Sequence, residues 1–283
     1  MRSESNIKGW VTNKEISAKD SLFGRLIKLV PPVLFEELMK RHYYRAIKSI
    51  TEKQLKDLKI GRFLVDRHDY VIDIGANIGT YTKILSKWVG YSGRVYSIEP
   101  IPSTYRYLIY NIDRLHLQNV HPCQCAISDT VGMLNLSVPR NKFGLENHYR
   151  AQVSTEPIGP SSKTYQIKSN TIDKMLSKNQ RQVTFIKIDT EEHELPCIKG
   201  ARETISRWRP ALLLEISSDF TNKKSDGYQL KEILKEYGYQ PFIFDGVSIS
   251  KWYPGERRIN YFFLTLEHID RLRRQNPYSI SNG

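Results

Sequence analysis

The sequence is poor in cysteine and lacks the patterns in which cysteine most often works. Its three cysteines, Cys123, Cys125 and Cys197, form no C-x-x-C pair and no His/Cys cluster at zinc spacing, so neither a structural zinc nor a disulfide framework is expected. No apolar run approaches the ~18 residues of a spanning helix, and the N-terminus has no charged-then-apolar signal pattern. Internal repeats and low-complexity tracts are absent. These absences point to a cytoplasmic protein with buried, reduced thiols. Two nucleotide-site patterns are also missing: a Gly-Lys-Ser/Thr P-loop and a complete G-x-G-x-x-G fingerprint.

What is present is ordinary in bulk and uneven in charge. The chain has 283 residues, 40% hydrophobic and 26% charged, with a net charge of +13. That suits one sizeable domain with a decorated end, or two small ones. The basic residues are scattered, which fits a solvated exterior; an anionic small molecule, nucleic acid or membrane is the alternative reading.

Residues 1–20 are polar. From Ser21 to about Ile60 the spacing is helical, with Leu22, Phe23, Leu26, Ile27 and Val30 on one face and Leu34, Phe35, Leu38 and Met39 on another after Pro31-Pro32. We expect a helical cap on the main domain, with peripheral membrane contact through residues 21–48 as the sharper reading. Beyond it, strand-like runs at Tyr70–Ile74, Val95–Ile98, Val120–Ile127, Phe185–Ile188 and Ala211–Ile216 alternate with helical runs at Thr80–Val89, Ser103–Leu115, Thr171–Leu176 and Leu195–Trp208. Further strands are expected in "QPFIF" and "INYFFLTL". Such alternation indicates a parallel sheet covered on both faces. Residues 140–169, rich in Pro, Gly, Ser and Asn, read as a long irregular insertion.

The stretch "YVIDIGANIGTYTKIL", residues 70–85, is a strand, a glycine turn and a helix. After Gly79 come Thr80 and Tyr81, which removes the P-loop reading, and Asn77 stands where a dinucleotide site needs glycine. S-adenosylmethionine has no phosphate and carries a cationic sulfonium and ammonium. Asp73, before the turn, suits those cations. Glu99, twenty residues past Gly79 at the next strand end, suits the ribose hydroxyls. Asp129 follows the third strand, near where the adenine edge would lie. Gly75, Asn77 and Gly79 complete the expected cofactor set.

"VIDIGANIGTYT", "YSIEP", "AISD", "NTIDKML", "FIKIDTEEHELPCIKGA" and "PALLLEI" occur in the order found in the FkbM-type methyltransferases, and the chain resembles that family over roughly residues 65–265. The resemblance implies an α/β fold: a Rossmann-like, doubly wound, mostly parallel sheet of seven strands, the class I methyltransferase architecture, with an N-terminal helical extension. It divides the chain into that extension (1–64), the catalytic domain (65–270) and a polar tail (271–283). It also implies S-adenosylmethionine as cofactor and O-methylation of a sugar, glycan or small natural product. The chain departs from the pattern at Glu192, where glycine is usual, and at Lys174, where a second aspartate is common.

An alcohol is a poor nucleophile until its proton is removed or its oxygen is bound to a metal. Asp189 ends the fourth strand-like run and Glu215 the fifth; if those strands are neighbours, the two carboxylates are candidates for a magnesium site, with Glu191 or His193 alongside. His193 is equally the candidate general base. The plainer readings are that Asp189 caps the next helix and that Glu191, Glu192 and Glu194 favour a helix dipole. In the insertion, Arg140, Lys142, Asn147, His148, Tyr149 and Arg150 suit a polyhydroxylated or anionic acceptor, with Tyr149 stacking on a ring. An RNA methyltransferase is the alternative favoured by charge. Against nucleic acid stands the lack of a basic stretch interleaved with aromatics. A non-catalytic binding protein on the same fold is the third reading.

Overall fold

The computed structural model describes residues 30–140, 146–154, 162–275 and 279–281. Residues 21–29 of the membrane reading and the loop residue Lys142 lie outside the described residues. Among those described, no helix is long and apolar enough to cross a membrane.

The first described helices are α1 (Pro32–Ser49), started by proline at its first turn, and a short α2 (Leu58–Gly61). Strand β1 (Tyr70–Ile74) leads through the glycine turn to α3 (Thr80–Val89); β2 (Arg94–Ile98), α4 (Pro102–Arg114) and β3 (Val120–Cys123) follow. A smaller sheet then intervenes, made of β4 (Ala126–Ile127), β5 (Gly132–Val138), β6 (Gln152–Val153) and β7 (Lys163–Asn170). The main sheet resumes with α5 (Ile172–Met175), β8 (Val183–Ile188), α6 (Glu194–Lys199), α7 (Arg202–Trp208) and β9 (Ala211–Glu215). The chain closes with α8 (Asp226–Glu236), β10 (Gln240–Phe244), β11 (Ser248–Lys251), β12 (Asn260–Leu264), α9 (Leu266–Gln275) and β13 (Ser279–Ser281).

The main sheet runs β13-β11-β10-β12-β9-β8-β1-β2-β3. Among the described residues it has nine strands, not the seven expected. β3 to β10 account for seven; β11 and β13 extend one edge. The central strands β3, β2, β1, β8 and β9 are parallel, whereas β12 is antiparallel to both neighbours. From β1 the chain winds outward one way through β2 and β3, then returns to the other side with β8 and β9. The order therefore reverses between β1 and β8, and ligands of doubly wound sheets bind at the carboxyl ends of such a pair.

Both faces of the sheet are dry. Ile72 and Ile74 of β1 pack with Leu195, Ile198, Ile205, Leu230 and Leu234. Val71 faces the other way, toward Leu58, Ile60, Leu64, Leu85, Trp88 and Leu272. That second cluster crosses the boundary expected at residue 64, so residues 50–64 are part of the main core. The boundary expected at residue 270 falls inside α9, and β13 joins the sheet, so the last residues do not form a polar tail as a whole. Among the described helices, α1 belongs to a separate small cluster. It packs on α4 through Ile47 and Tyr107, and Lys83 Nζ donates to the carbonyls of Ile47, Lys48 and Ile50 at 2.8–2.9 Å, closing its C-terminus.

Three local expectations need correction. The run Val120–Ile127 is two strands, because the chain bends at Cys125 and sends β4 into the smaller sheet. The insertion expected at 140–169 is in good part ordered: β7 pairs along its length with β5, burying Leu136, Val138 and Ile167. Its alternation "TYQIKS" was legible in the sequence but shorter than the polar residues around it. The single helix expected over Leu195–Trp208 breaks at Gly200, where a Cβ would lie 2.0 Å from the Ser128 carbonyl oxygen.

Candidate active site

The β1–α3 turn is built by backbone that few residues tolerate. Gly75 has φ 70° and Gly79 has φ 100°, both left-handed, and Asn77 between them has φ 51°. Asparagine is among the few non-glycine residues that visit this region readily. A Cβ at Gly75 would lie 1.8 Å from the Asp189 carbonyl oxygen. The missing side chain is what lets the ends of β1 and β8 close against each other. The Asp189 amide donates to the Ile74 carbonyl at 3.1 Å.

Two cavities meet at this turn and share Gly75, Asn77 and Asp189. The first lies over β1 and β2, with Glu99, Pro100, Ile101, Cys125, Ala126 and Ile127 among its walls. The second, of ≈ 480 Å³, lies over β8, β9 and β12 and is lined by Tyr81, Lys187, Asp189, Glu215, Arg257 and Asn260, among others. Among the described residues Asp189 is the one carboxylate common to both. The cleft thus occupies the crevice where the strand order reverses.

Glu99 is buried at the end of β2 and lines the first cavity. Its Oε2 accepts the Asn77 amide and its Oε1 the Ile101 amide, each at 2.9 Å. The carboxylate therefore pins the glycine turn to the next strand, and each oxygen keeps a second lone pair for a ligand. Burial pushes its pKa up to about 7, against the pull of the two amides.

Asp73 is placed differently from expectation. It is fully buried beneath the turn and lines neither cavity. Its Oδ2 accepts from Thr82 Oγ1 at 2.7 Å, and its Oδ1 lies 3.6 Å from Lys187 Nζ. In the parallel register Asp73 stands opposite Lys187, so the acid neutralises a buried lysine and does not reach a ligand's cation. Gly79 shapes the turn without lining a cavity, and Asp129 is exposed beyond the cavity wall, accepting from Ser128 Oγ at 3.2 Å.

Lys187 is a cavity-lining residue that sequence reasoning missed. It is buried near the carboxyl end of β8, its Nζ 3.2 Å from Asp189 Oδ2 and donating to the Gly75 carbonyl at 3.2 Å. Burial alone would push its pKa down; the carboxylates of Asp189 and Asp73 outweigh that and hold the ammonium above the ordinary lysine value. A charge inside the apolar run "FIKI" was the available signal, because lysine is almost never fully buried unless paired.

This lysine also corrects the magnesium expectation. Ile188 pairs with Leu214, so Asp189 and Glu215 do leave adjacent strand ends into one cavity. The cation between these carboxylates is the Lys187 ammonium, close to Asp189 and electrostatically coupled to Glu215. Among the described residues no three acid, histidine or cysteine side chains are grouped to hold a metal. A divalent ion does not fit beside that ammonium, and no step here runs through one.

His193 and Glu191 line the first cavity and not the second. His193 Nε2 is 3.0 Å from Ser128 Oγ, and burial holds its pKa below the ordinary histidine value. His193 thus opens onto the same cavity as Glu99. Glu191 and Glu192 both adopt left-handed backbone, φ 53° and 73°. Glu192 thus keeps the conformation that glycine would supply, and its Oε2 accepts from Gln152 Nε2 at 2.9 Å. Of the insertion residues, His148 lines the first cavity and Arg150 is exposed.

Residues 73–241, more than half of the chain, match the model of the methyltransferase FkbM domain. No curated protein sequence matches the chain. Similar solved structures include methyltransferase FkbM from Methylobacillus flagellatus (16% identity, 80% of this chain and 59% of that one, TM-score 0.44). Others are Aeropyrum pernix fibrillarin with natively bound S-adenosyl-L-methionine (15%, 71% and 67%, TM-score 0.42) and a Geobacter metallireducens precorrin-6y C5,15-methyltransferase (12%, 76% and 87%, TM-score 0.41).

Proposed function

The chain belongs to the FkbM methyltransferase family, and from that premise we propose that it transfers the methyl group of S-adenosylmethionine to a hydroxyl oxygen of a sugar, glycan or small natural product. The observation that carries this reading is the cleft divided at Asp189, with Glu99 on one side and Lys187 and Glu215 on the other.

The donor set of the first cavity fits the cofactor. Glu99 offers spare lone pairs to ribose hydroxyls, and the apolar wall of Ile101, Ala126 and Ile127 suits the adenine. When bound, the cofactor supplies a methyl group already activated by its sulfonium. The protein's task is to hold an acceptor oxygen in line with it, and orientation of this kind can supply several kcal/mol.

Asp189, at the junction, is the group we assign to accept the acceptor's hydroxyl proton. The Lys187 ammonium keeps Asp189 oriented by their 3.2 Å ion pair. Glu215 and Asn260, paired across β9 and β12, stand on the acceptor side and are placed to hydrogen-bond further hydroxyls. Calorimetry with S-adenosylhomocysteine tests the cofactor half. Methyl transfer to a panel of hydroxylated acceptors tests the rest: binding with no turnover on any acceptor would favour a non-catalytic protein, and no binding would end the proposal.

A further inference from the structure

Cys123 ends β3 and Cys125 stands at the bend before β4, with their Sγ atoms 3.3 Å apart. Cys123 is half-buried and reachable from solvent, whereas Cys125 is buried and lines the cofactor-side cavity. The S–H of Cys125 stabilises the Cys123 thiolate and holds its pKa below the ordinary thiol value; the same contact pushes Cys125 up. An accessible, lowered thiol beside a second thiol is the arrangement that oxidises selectively. Cys197 offers the contrast: it is fully buried, it donates to the Ile127 carbonyl at 3.2 Å, and burial pushes its pKa up.

We propose that Cys123 and Cys125 are a modification site, forming a reversible intramolecular disulfide with a hydroperoxide and thereby closing the cofactor cavity. The Cys123 thiolate attacks the O–O bond, forming a sulfenic acid while the other oxygen leaves as water or an alcohol. The Cys125 thiol then attacks the sulfenic sulfur; the S–S bond forms, the S–O bond breaks and water departs. Two thiols are oxidised and one peroxide is reduced. The sulfurs need to close only from 3.3 Å to about 2.05 Å. A bridge between residues two apart makes a small, strained ring, and strained disulfides are the easily reduced ones.

The bond reaches the cofactor site through the backbone. The Cys123 carbonyl accepts the Glu99 amide at 3.1 Å, and the Glu99 carboxylate in turn holds the amides of Asn77 and Ile101. Tightening the 123–125 bend moves both the cavity wall at Cys125 and the strand end that carries Glu99. The effect on binding rests on the cofactor reading above; the disulfide itself does not.

The full chain is to be treated with hydrogen peroxide, then examined by intact mass, peptide mapping without reductant, and calorimetry with S-adenosylhomocysteine. The expected result is a loss of two hydrogens located to Cys123 and Cys125, an affinity at least tenfold weaker, and recovery of both with dithiothreitol. Cys125→Ser should stop at a sulfenic acid on Cys123 that dimedone traps, and Cys123→Ser should keep its affinity through the treatment. Progression of the wild type to sulfinic acid without a disulfide would overturn the proposal, as would a disulfide that leaves affinity unchanged. Reduced protein that fails to bind S-adenosylhomocysteine would instead sink the cofactor reading, leaving the mass shift to decide whether the disulfide forms.

Discussion

Lys187 Nζ lies 3.2 Å from Asp189 Oδ2, and both groups look into the same cavity from the end of β8. The same ammonium is 3.6 Å from the fully buried Asp73. One lysine therefore neutralises a structural acid beneath the glycine turn and orients the acid above it.

Lys187→Met is expected to destabilise the fold by about 3–5 kcal/mol, because it strands the Asp73 carboxylate in the core. Urea unfolding measures this. The double variant Asp73→Asn/Lys187→Met should recover part of the loss, since the unpaired charge is then gone. A Lys187→Met protein of wild-type stability would show that the pair is not what holds β1 to β8.

Glu99→Gln should weaken S-adenosylhomocysteine binding by about tenfold or more, the worth of one charge-assisted hydrogen bond. Because the Glu99 pKa is raised to about 7, wild-type affinity should rise with pH up to about that value and level off above it. Glu99→Gln should be flat across the same range. Glu99→Ala is the poorer test, as it also strips the Asn77 and Ile101 amides of their acceptor.

Asp189→Asn should leave the dissociation constant of S-adenosylhomocysteine within about threefold while lowering turnover by about a hundredfold, the lower range for loss of a general base. Single-turnover kinetics with a competent acceptor separates the two quantities. Weakened cofactor binding with unchanged turnover would reverse the roles assigned to Asp189 and Glu99.

Stability should depend on pH through two buried groups of opposite sign. His268 accepts the Thr265 amide at 3.1 Å, and burial pushes its pKa down to about 4. Between pH 4 and 6.5 the unfolded chain binds this proton and the folded one does not, so its contribution rises with pH. Glu99 does the reverse: from pH 4.5 to 7 the folded chain holds the proton, and its contribution falls as pH rises. A tenfold difference in proton affinity between the folded and unfolded chains is worth up to about 1.4 kcal/mol. Denaturant titrations between pH 4.5 and 6.5 should therefore show stability rising more steeply with pH in Glu99→Gln than in wild type, and less steeply in His268→Asn.

Glu192→Gly should raise stability by up to about 1 kcal/mol, because it relieves a left-handed φ of 73° at a residue with a Cβ. Thermal unfolding reads the effect. A loss of stability would mean that the Gln152 contact outweighs the strain.

Much of the scaffold was legible because its signals are local. The apolar run Tyr70–Ile74, the paired glycines and the amphipathic Thr80–Val89 give β1, its turn and α3 with the same boundaries in sequence and structure. Glu99 was legible too, since a carboxylate at the end of the second strand is placed by strand length alone. Signals spread across distant segments were not. Nothing local reveals that β7 returns to pair with β5, or that β11 and β13 widen the sheet.

What the residues decided by themselves is where the chain must turn and which segments must be buried: glycine alone tolerates the backbone at positions 75 and 79, and the apolar periodicities admit little but a covered parallel sheet. Which carboxylates line the cavities and which lies beneath them was decided only in three dimensions. Register sets Asp73 against Lys187 and out of the cavity, while strand order brings Asp189 to the junction of both cavities. The physical reason is that a charge's role depends on what lies within a few ångströms of it, and in a doubly wound sheet those neighbours come from strands more than a hundred residues apart.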